Sequence, residues 1–240
     1  MITRHHLVLA LMCSLILGIA VFPSAPGALA ALAGGACIGA VLPDIHMTKP
    51  KRRGFRTITW YITRFSACIC IPALCQAYYA FWEMNLCPSD KRLTHSVPGS
   101  MFIGVTVIAI AAVPVLLLGP SPMSVILLAF ISGILSGLIL HFMEDICTRK
   151  GVTPFFPFSS VKIAGSIRPC DRTDSRIAQY HVHHCWMAVV VIGLHSAGHW
   201  TEPLSLSVSL IALALCLGLM VWFSDVHIET GKSATGFPDH

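Results

Sequence analysis

"VILLAFISGILSGLILHFMED", residues 125–145, opens with sixteen consecutive apolar or small residues and ends on His141, Glu144 and Asp145. A helix needs roughly 20 residues to cross a bilayer, and this run, extended back to Met123, is long enough. Ionisable side chains at or near membrane depth are costly and usually serve a purpose. The stretch therefore reads as a membrane-spanning helix whose end carries chemistry.

The rest of the chain agrees with that reading. Of its 240 residues 55% are hydrophobic and only 11% charged, well below the roughly 25% charged residues of soluble domains. The expected fold class is all-α, a polytopic integral membrane protein. Apolar stretches fall at 7–22, 28–42, 97–118, 123–143, 185–199 and 204–224, giving about six helices, some of them short. They form one membrane domain, 1–224, followed by a polar tail, 225–240, expected to be mobile. The ten cysteines form no repeated CxxC pair and lie mostly in apolar segments, so they read as small packing residues.

Residues 57–96 read as an interfacial segment and loop. "ITWYITRFSACICIPALCQAYYAFWEM" (58–84) is apolar but carries Arg64, Gln76 and Glu83, is rich in Trp and Tyr, and is interrupted by Pro72. Amphipathic aromatics favour the headgroup region, so a broken helical pair that does not cross is expected. With six crossings the far-side turns are "PSAPG", "GPSP" and "HWTEP", none with Lys or Arg. All 16 basic residues then fall on the near side or, for Arg64, in the interfacial segment. The positive-inside rule makes the near side, with both termini, cytoplasmic. Arg4, the core at 7–22 and "GALA" at 27–30 also fit a cleavable signal peptide loosely; retention as a membrane helix is expected.

This topology brings four helix ends to one membrane face. "RHH" supplies His6, "LPDIH" supplies Asp44 and His46, "SDKRLTHS" supplies Asp90 and His95, and "HFMED" supplies His141, Glu144 and Asp145. Residues four apart share a helical face, so His141 and Asp145 point at one place. Each piece has an ordinary explanation alone: a polar tail, a turn, an N-cap, a solvated helix end. Four pieces on one face make a metal site the better reading. Mixed His and Asp ligands without thiolates suit a divalent ion, with zinc or manganese first among the candidates, as one ion or two.

The motif order resembles the YdjM-like family, inner-membrane-associated proteins to which metal-dependent hydrolysis is ascribed, some of them LexA-regulated. The matching text is "RHHL", "VLPDIHM", "DKRLTHSVP" and "HFMEDICTRKGVTPFFPFS", where His141, Asp145, Thr148, Gly151 and Pro157 fall in register with an "HxxxDxxTxxGxxxxxP" pattern. It covers roughly residues 1–160. Two positions depart from the pattern: His46 stands where the second acidic residue of "LPDxDH" is expected, and Asp90 where the first histidine of "HRGxTHS" is expected.

The resemblance implies a hydrolase of the bacterial inner membrane. A divalent ion held by His6, Asp44, His46, His95, His141 and Asp145 would activate a water against a phosphoester or ester, with Asp90 or Glu144 as general base. Lysines and arginines near these ligands favour an anionic or phosphate-bearing substrate, with a phospholipid one candidate and membrane lipids the expected partners. No nucleic-acid partner is expected, and oligomeric state is not legible. The rival readings are a metal-ion transporter or sensor, and an inactive membrane scaffold. Of the remaining polar groups, "HVHH" (181–184) is a further source of ligands, while 144–184 is expected to be an ordered cytoplasmic loop from which Asp171 and Asp174 reach the metal.

Overall fold

The computed structural model describes residues 3–46, 58–119, 122–171, 173–198 and 202–230. Seven α-helices dominate: α1 Thr3–Val21, α2 Pro26–Gly39, α3 Ile58–Trp82, α4 Val97–Leu118, α5 Pro122–Ile146, α6 Arg176–Ser196 and α7 Glu202–Phe223. Short 3-10 turns, Leu42–His46 and Lys91–Leu93, follow α2 and precede α4. Among the described residues one sheet is present, of two strands, β1 Lys162–Ala164 and β2 His227–Glu229, paired antiparallel.

Among the described residues, five helical stretches are long and apolar enough to cross a membrane: Arg4–Val21, Pro26–Asp44, Met123–Ile146, Arg176–Ser196 and Leu204–Phe223. In α4 the described apolar part is shorter, Val97–Val113. Outward-facing side chains such as Leu116, Leu117, Ile139 and Trp222 are largely exposed, as expected where lipid rather than protein covers a helix.

The closest helix pairing joins α2 to α5, and small residues make it possible. A Cβ placed on Gly35 would come within 2.1 Å of the Phe130 carbonyl oxygen, and one on Gly39 within 2.1 Å of that of Ile134. From the other side, Gly133 faces the Leu32 carbonyl at 2.2 Å and Gly137 that of Ala36 at 2.1 Å. Each helix thus presents a GxxxG face to the other. Without a hydrophobic drive between helices in lipid, such close backbone approach supplies the packing contacts that hold them together. Around this pair α1 packs on α2 and α6, and α7 on α1 and α6.

Three segments differ from the reading of the sequence. Residues 58–82 form one continuous helix through Pro72, not a broken pair. Its buried stripe runs from Cys70 and Ile71, packed near Leu42, to Leu74 and Tyr78, packed near Leu93. Both leucines sit beside the polar helix ends, so this part of α3 lies along that end of the bundle. Second, α6 begins at Arg176, well before 185. Its buried residues Ile177, Tyr180, His184, Ala188 and Val191 keep helical spacing, a stripe that the polar His181 and His183 hide in the sequence. The loop after α5 is accordingly shorter than 144–184.

Third, the first residues of the polar tail are strand β2, with Ile228 opposite Ile163. The loop they pair with is itself ordered: Val152 and Ile163 exchange backbone hydrogen bonds at 2.9 Å. Among the described residues every cysteine is free, in keeping with packing roles.

Candidate metal centre

Among the described residues, buried polar side chains are concentrated at the end of the bundle where α1 and α4 begin and α2 and α5 finish. His6, Asp44, His95, His141, Glu144 and Asp145 are each no more than 6% exposed. The GxxxG pairing sets the register: it carries Ala40 past His141, whose Nδ1 lies 2.6 Å from the Ala40 carbonyl oxygen. The 3-10 turn after α2 then brings Asp44 inward, with φ −79° and ψ 19°.

Two of the three histidines have their Nδ1 hydrogen-bonded on the outside. That of His141 donates to Ala40; that of His95 lies 3.1 Å from both the Lys91 carbonyl and the Thr94 hydroxyl. A carbonyl only accepts, so these contacts put the proton on Nδ1 and leave Nε2 with a free lone pair. His6 Nδ1 lies 2.8 Å from Glu144 Oε2, although the angle is too poor for a hydrogen bond and neither atom has another partner. We read the close approach as an orienting contact.

The inward nitrogens converge with carboxylate oxygens. His95 Nε2 is 3.3 Å from His141 Nε2, and Asp145 Oδ2 lies 3.5 Å from each. Asp44 Oδ1 stands 3.3 Å from His95 Nε2, and His6 Nε2 stands 3.6 Å from Asp145 Oδ1. For metal–ligand bonds of about 2.05 Å a tetrahedral site has ligand–ligand edges near 3.35 Å, close to this triangle. Two sets of three can each hold an ion, His6–Asp44–His141 and His95–His141–Asp145; they share His141.

The donor set fits a cation on two further grounds. Three carboxylates are buried within one small volume, which is unfavourable unless a positive charge offsets them. In addition, both ring nitrogens of His6, Asp44 Oδ2 and both Glu144 oxygens have no hydrogen-bond partner. Lys91, whose Nζ is 3.1 Å from Asp44 Oδ1, is the rim cation paired with one of these carboxylates. Burial lowers the His95 pKa below its ordinary 6.5, opposed in part by the hydrogen bond with Asp44, so the imidazole favours its neutral, ligating form.

The other residues expected at the site are placed as follows. Asp90 caps the 3-10 turn before α4: it accepts from the Arg92 backbone N–H at 2.9 Å and pairs with that guanidinium at 2.7 Å. That is a structural role, and the residue belongs to neither ligand set. Glu144 approaches His6, its Oε2 lying 2.8 Å from Nδ1, and it belongs to neither ligand set. His46 ends the 3-10 turn, its side chain lying outside the described residues. His181 lies against His5, with ring centroids 5.1 Å apart and the rings tilted by 38°, while His184 Nδ1 is bound to the Tyr180 carbonyl at 2.7 Å. Asp171 bonds to Thr173, and Asp174 to Arg176 and the Arg168 backbone, so neither is used as a ligand.

The loop after α5 completes the site's wall. Thr148 donates to the Asp145 carbonyl at 2.8 Å and accepts from the Gly151 N–H at 3.2 Å. Gly151 has φ +60°, and a Cβ there would meet the Ile163 carbonyl oxygen at 2.3 Å. The chain then crosses to α4, where the Pro154 carbonyl accepts from the Val97 N–H at 2.7 Å. The result is a cavity of about 250 Å³ reaching from His95 and Asp145 to Lys91, Arg92, Lys150 and Lys162. Lys91, Arg92 and Lys150 stand close to the ligand motifs in the sequence, whereas β1 delivers Lys162 from a distant part of the loop.

No curated protein and no solved structure matches this chain significantly. The family model described as YdjM inner membrane protein matches residues 1–225, well past the motifs that first suggested it, and the chain belongs to that family.

Proposed function

We propose that this protein is a membrane-surface, metal-dependent hydrolase acting on an anionic ester, a phosphoester by preference. The observation that supports this most strongly is the convergence of three imidazoles with Asp44 and Asp145, of which His95 and Asp145 line a cavity rimmed by four basic side chains. His6, Asp44, His95, His141 and Asp145 would hold a divalent ion, which would supply water activation at neutral pH.

The chain's own residues do the rest. Lys91, Arg92, Lys150 and Lys162 draw the phosphate into the cavity and hold its oxygens beside His95 and Asp145. β1, the 3-10 turn before α4 and the loop after α5 together wall this cavity. In the overall reaction the oxygen of water bonds to phosphorus, the ester P–O bond breaks, and the alcohol departs with a proton. Glu144 keeps His6 in register, as a carboxylate behind a ligating histidine commonly does.

The same reading places this end of the bundle at the cytoplasmic face, with both termini on that side. Its support is the positive-inside rule: the described basic residues from Lys91 to Arg176 sit on the loops and helix ends around the site. Membrane lipids are then the solvent next to the cavity.

The test uses detergent-purified protein loaded with zinc or manganese and assayed on an aryl phosphate. Metal should copurify, and Asp145→Ala and His95→Ala should lose metal and turnover together. Stoichiometric metal with no turnover on any phosphoester or carboxylic ester would overturn the hydrolase reading while leaving the metal centre in place.

A further inference from the structure

A second cavity lies beside the first. It has a volume of about 270 Å³, and its walls are apolar, including Leu74, Tyr78, Trp82, Phe102 and Phe158. Two pieces of chain separate it from the basic cavity. In the 3-10 turn before α4, Arg92 faces the basic cavity while Leu93 packs under Tyr78 and Leu74. In the loop after α5, Lys150 to Thr153 line the basic cavity and Phe158 lines the apolar one. At the seam the Arg92 guanidinium sits 4.3 Å above the Phe156 ring.

One residue in the wall of the apolar cavity carries an unmet polar group. Tyr78 is 3% exposed, and its hydroxyl has no hydrogen-bond partner. A buried tyrosine O–H normally finds an acceptor. At the outer wall Trp82 is 52% and Phe158 50% exposed, and their rings meet edge to face at 5.2 Å. Aromatic side chains with wet edges are what the headgroup boundary of a bilayer selects.

We infer that this groove is an acyl-chain subsite, and that the substrate class of the neighbouring metal centre is an anionic phospholipid with ester-linked chains. The inference rests on the hydrolase reading for its chemistry and on the groove alone for its binding. The phosphate occupies the basic cavity. One chain turns over Phe156 into the groove between Trp82, Phe102 and Phe158, and the first ester carbonyl accepts from the Tyr78 hydroxyl. A soluble phosphate satisfies the basic cavity but leaves both the aromatic walls and that hydroxyl unused, so a lipid is the occupant that uses the basic rim, the aromatic walls and the hydroxyl together.

Two measurements on the full chain in detergent test it. The first compares kcat/KM for dipalmitoyl phosphatidic acid with that for an aryl phosphate. Trp82→Ala should lower the ratio about tenfold, the scale of one aromatic contact. Tyr78→Phe keeps the shape and should erase the preference for ester-linked over ether-linked phosphatidic acid. An unchanged ratio in Trp82→Ala, or an unchanged preference in Tyr78→Phe, would overturn the subsite.

The second measurement needs no turnover. With Trp60, Trp186, Trp200 and Trp222 replaced by Phe, phosphatidic acid brominated on its chain should quench Trp82 saturably. Unbrominated phosphatidic acid should reverse the quenching, and brominated diacylglycerol should quench several-fold more weakly. Equal quenching by the two brominated lipids would overturn the inference. Selective quenching without turnover of any phosphoester would sink the hydrolase reading and leave the lipid site standing.

Discussion

The Nδ1 of His141 and the carbonyl oxygen of Ala40 lie 2.6 Å apart, joining α5 to the end of α2. This one contact links helix packing to metal chemistry. The carbonyl fixes the imidazole's tautomer, and it is in place only because Gly35 and Gly39 let α2 settle against Gly133 and Gly137. Spreading the two helices by one methyl group would therefore reach the ligand.

The neighbouring glycines provide a matched pair of tests. Gly35→Ala places a Cβ 2.1 Å from the Phe130 carbonyl oxygen, whereas Gly34→Ala meets nothing within 4 Å. We expect Gly35→Ala to cost about 2–3 kcal/mol, the usual scale of overpacking, and to lower metal content. Gly34→Ala should be neutral or about 1 kcal/mol more stable, because alanine is the better helix former. Thermal unfolding in detergent, with metal analysis of each variant, checks both.

Glu144 offers a second test. It is 1% exposed and directed at His6, so its removal should loosen a ligand without deleting one. Glu144→Gln is expected to weaken metal affinity about 10–100-fold, the range for partners behind metal-bound histidines. His95→Ala, which removes a ligand outright, should weaken it further. Competition with a chromogenic chelator reads both values, and equal losses would place Glu144 among the ligands instead.

Much of this arrangement was legible in the sequence because polar residues in a lipid-soluble chain are conspicuous. "HFMED" announced itself against sixteen apolar neighbours, and helix polarity alone gathered His6, Asp44 and His95 to the same end. The role of Asp90 was hidden because capping depends on backbone geometry that spacing does not reveal. Residues 58–82 looked broken because Pro72 reads as an interruption, yet the helix passes through it. The two GxxxG faces at 35–39 and 133–137 were present in the text, but their pairing is a long-range fact that neither segment states alone. Lys162 entered the site only through its strand, for which three residues leave almost no pattern.

The basic rim makes a prediction about catalysis that leaves the ligands untouched. Lys150 is exposed and lines the cavity, whereas Lys91 also pairs with Asp44 and Lys162 with Glu229 at 2.9 Å. Lys150→Gln is therefore the cleanest change of charge. Its kcat/KM for a phosphoester should fall about three- to tenfold, consistent with a partly solvated charge contact, while metal content stays constant. The loss should shrink as salt is raised, since screening weakens the wild-type attraction as well.

Acid should unfold the metal-free protein by way of His95. Burial holds this imidazole's folded pKa below 6.5, while the unfolded chain keeps the ordinary value near 6.5. Above that pH both states are neutral and the residue adds no pH dependence. As pH falls through 6.5 the unfolded chain binds a proton that the folded protein still refuses, so stability declines until the lower, folded pKa is passed. Protonation also removes the lone pair a metal needs, so added zinc should raise the melting temperature at pH 7.5 and much less at pH 5. Melting curves of chelator-treated protein between these limits, repeated with His95→Gln, isolate the contribution. The variant should show a flatter dependence, and an equally steep one would assign the acid sensitivity to another group.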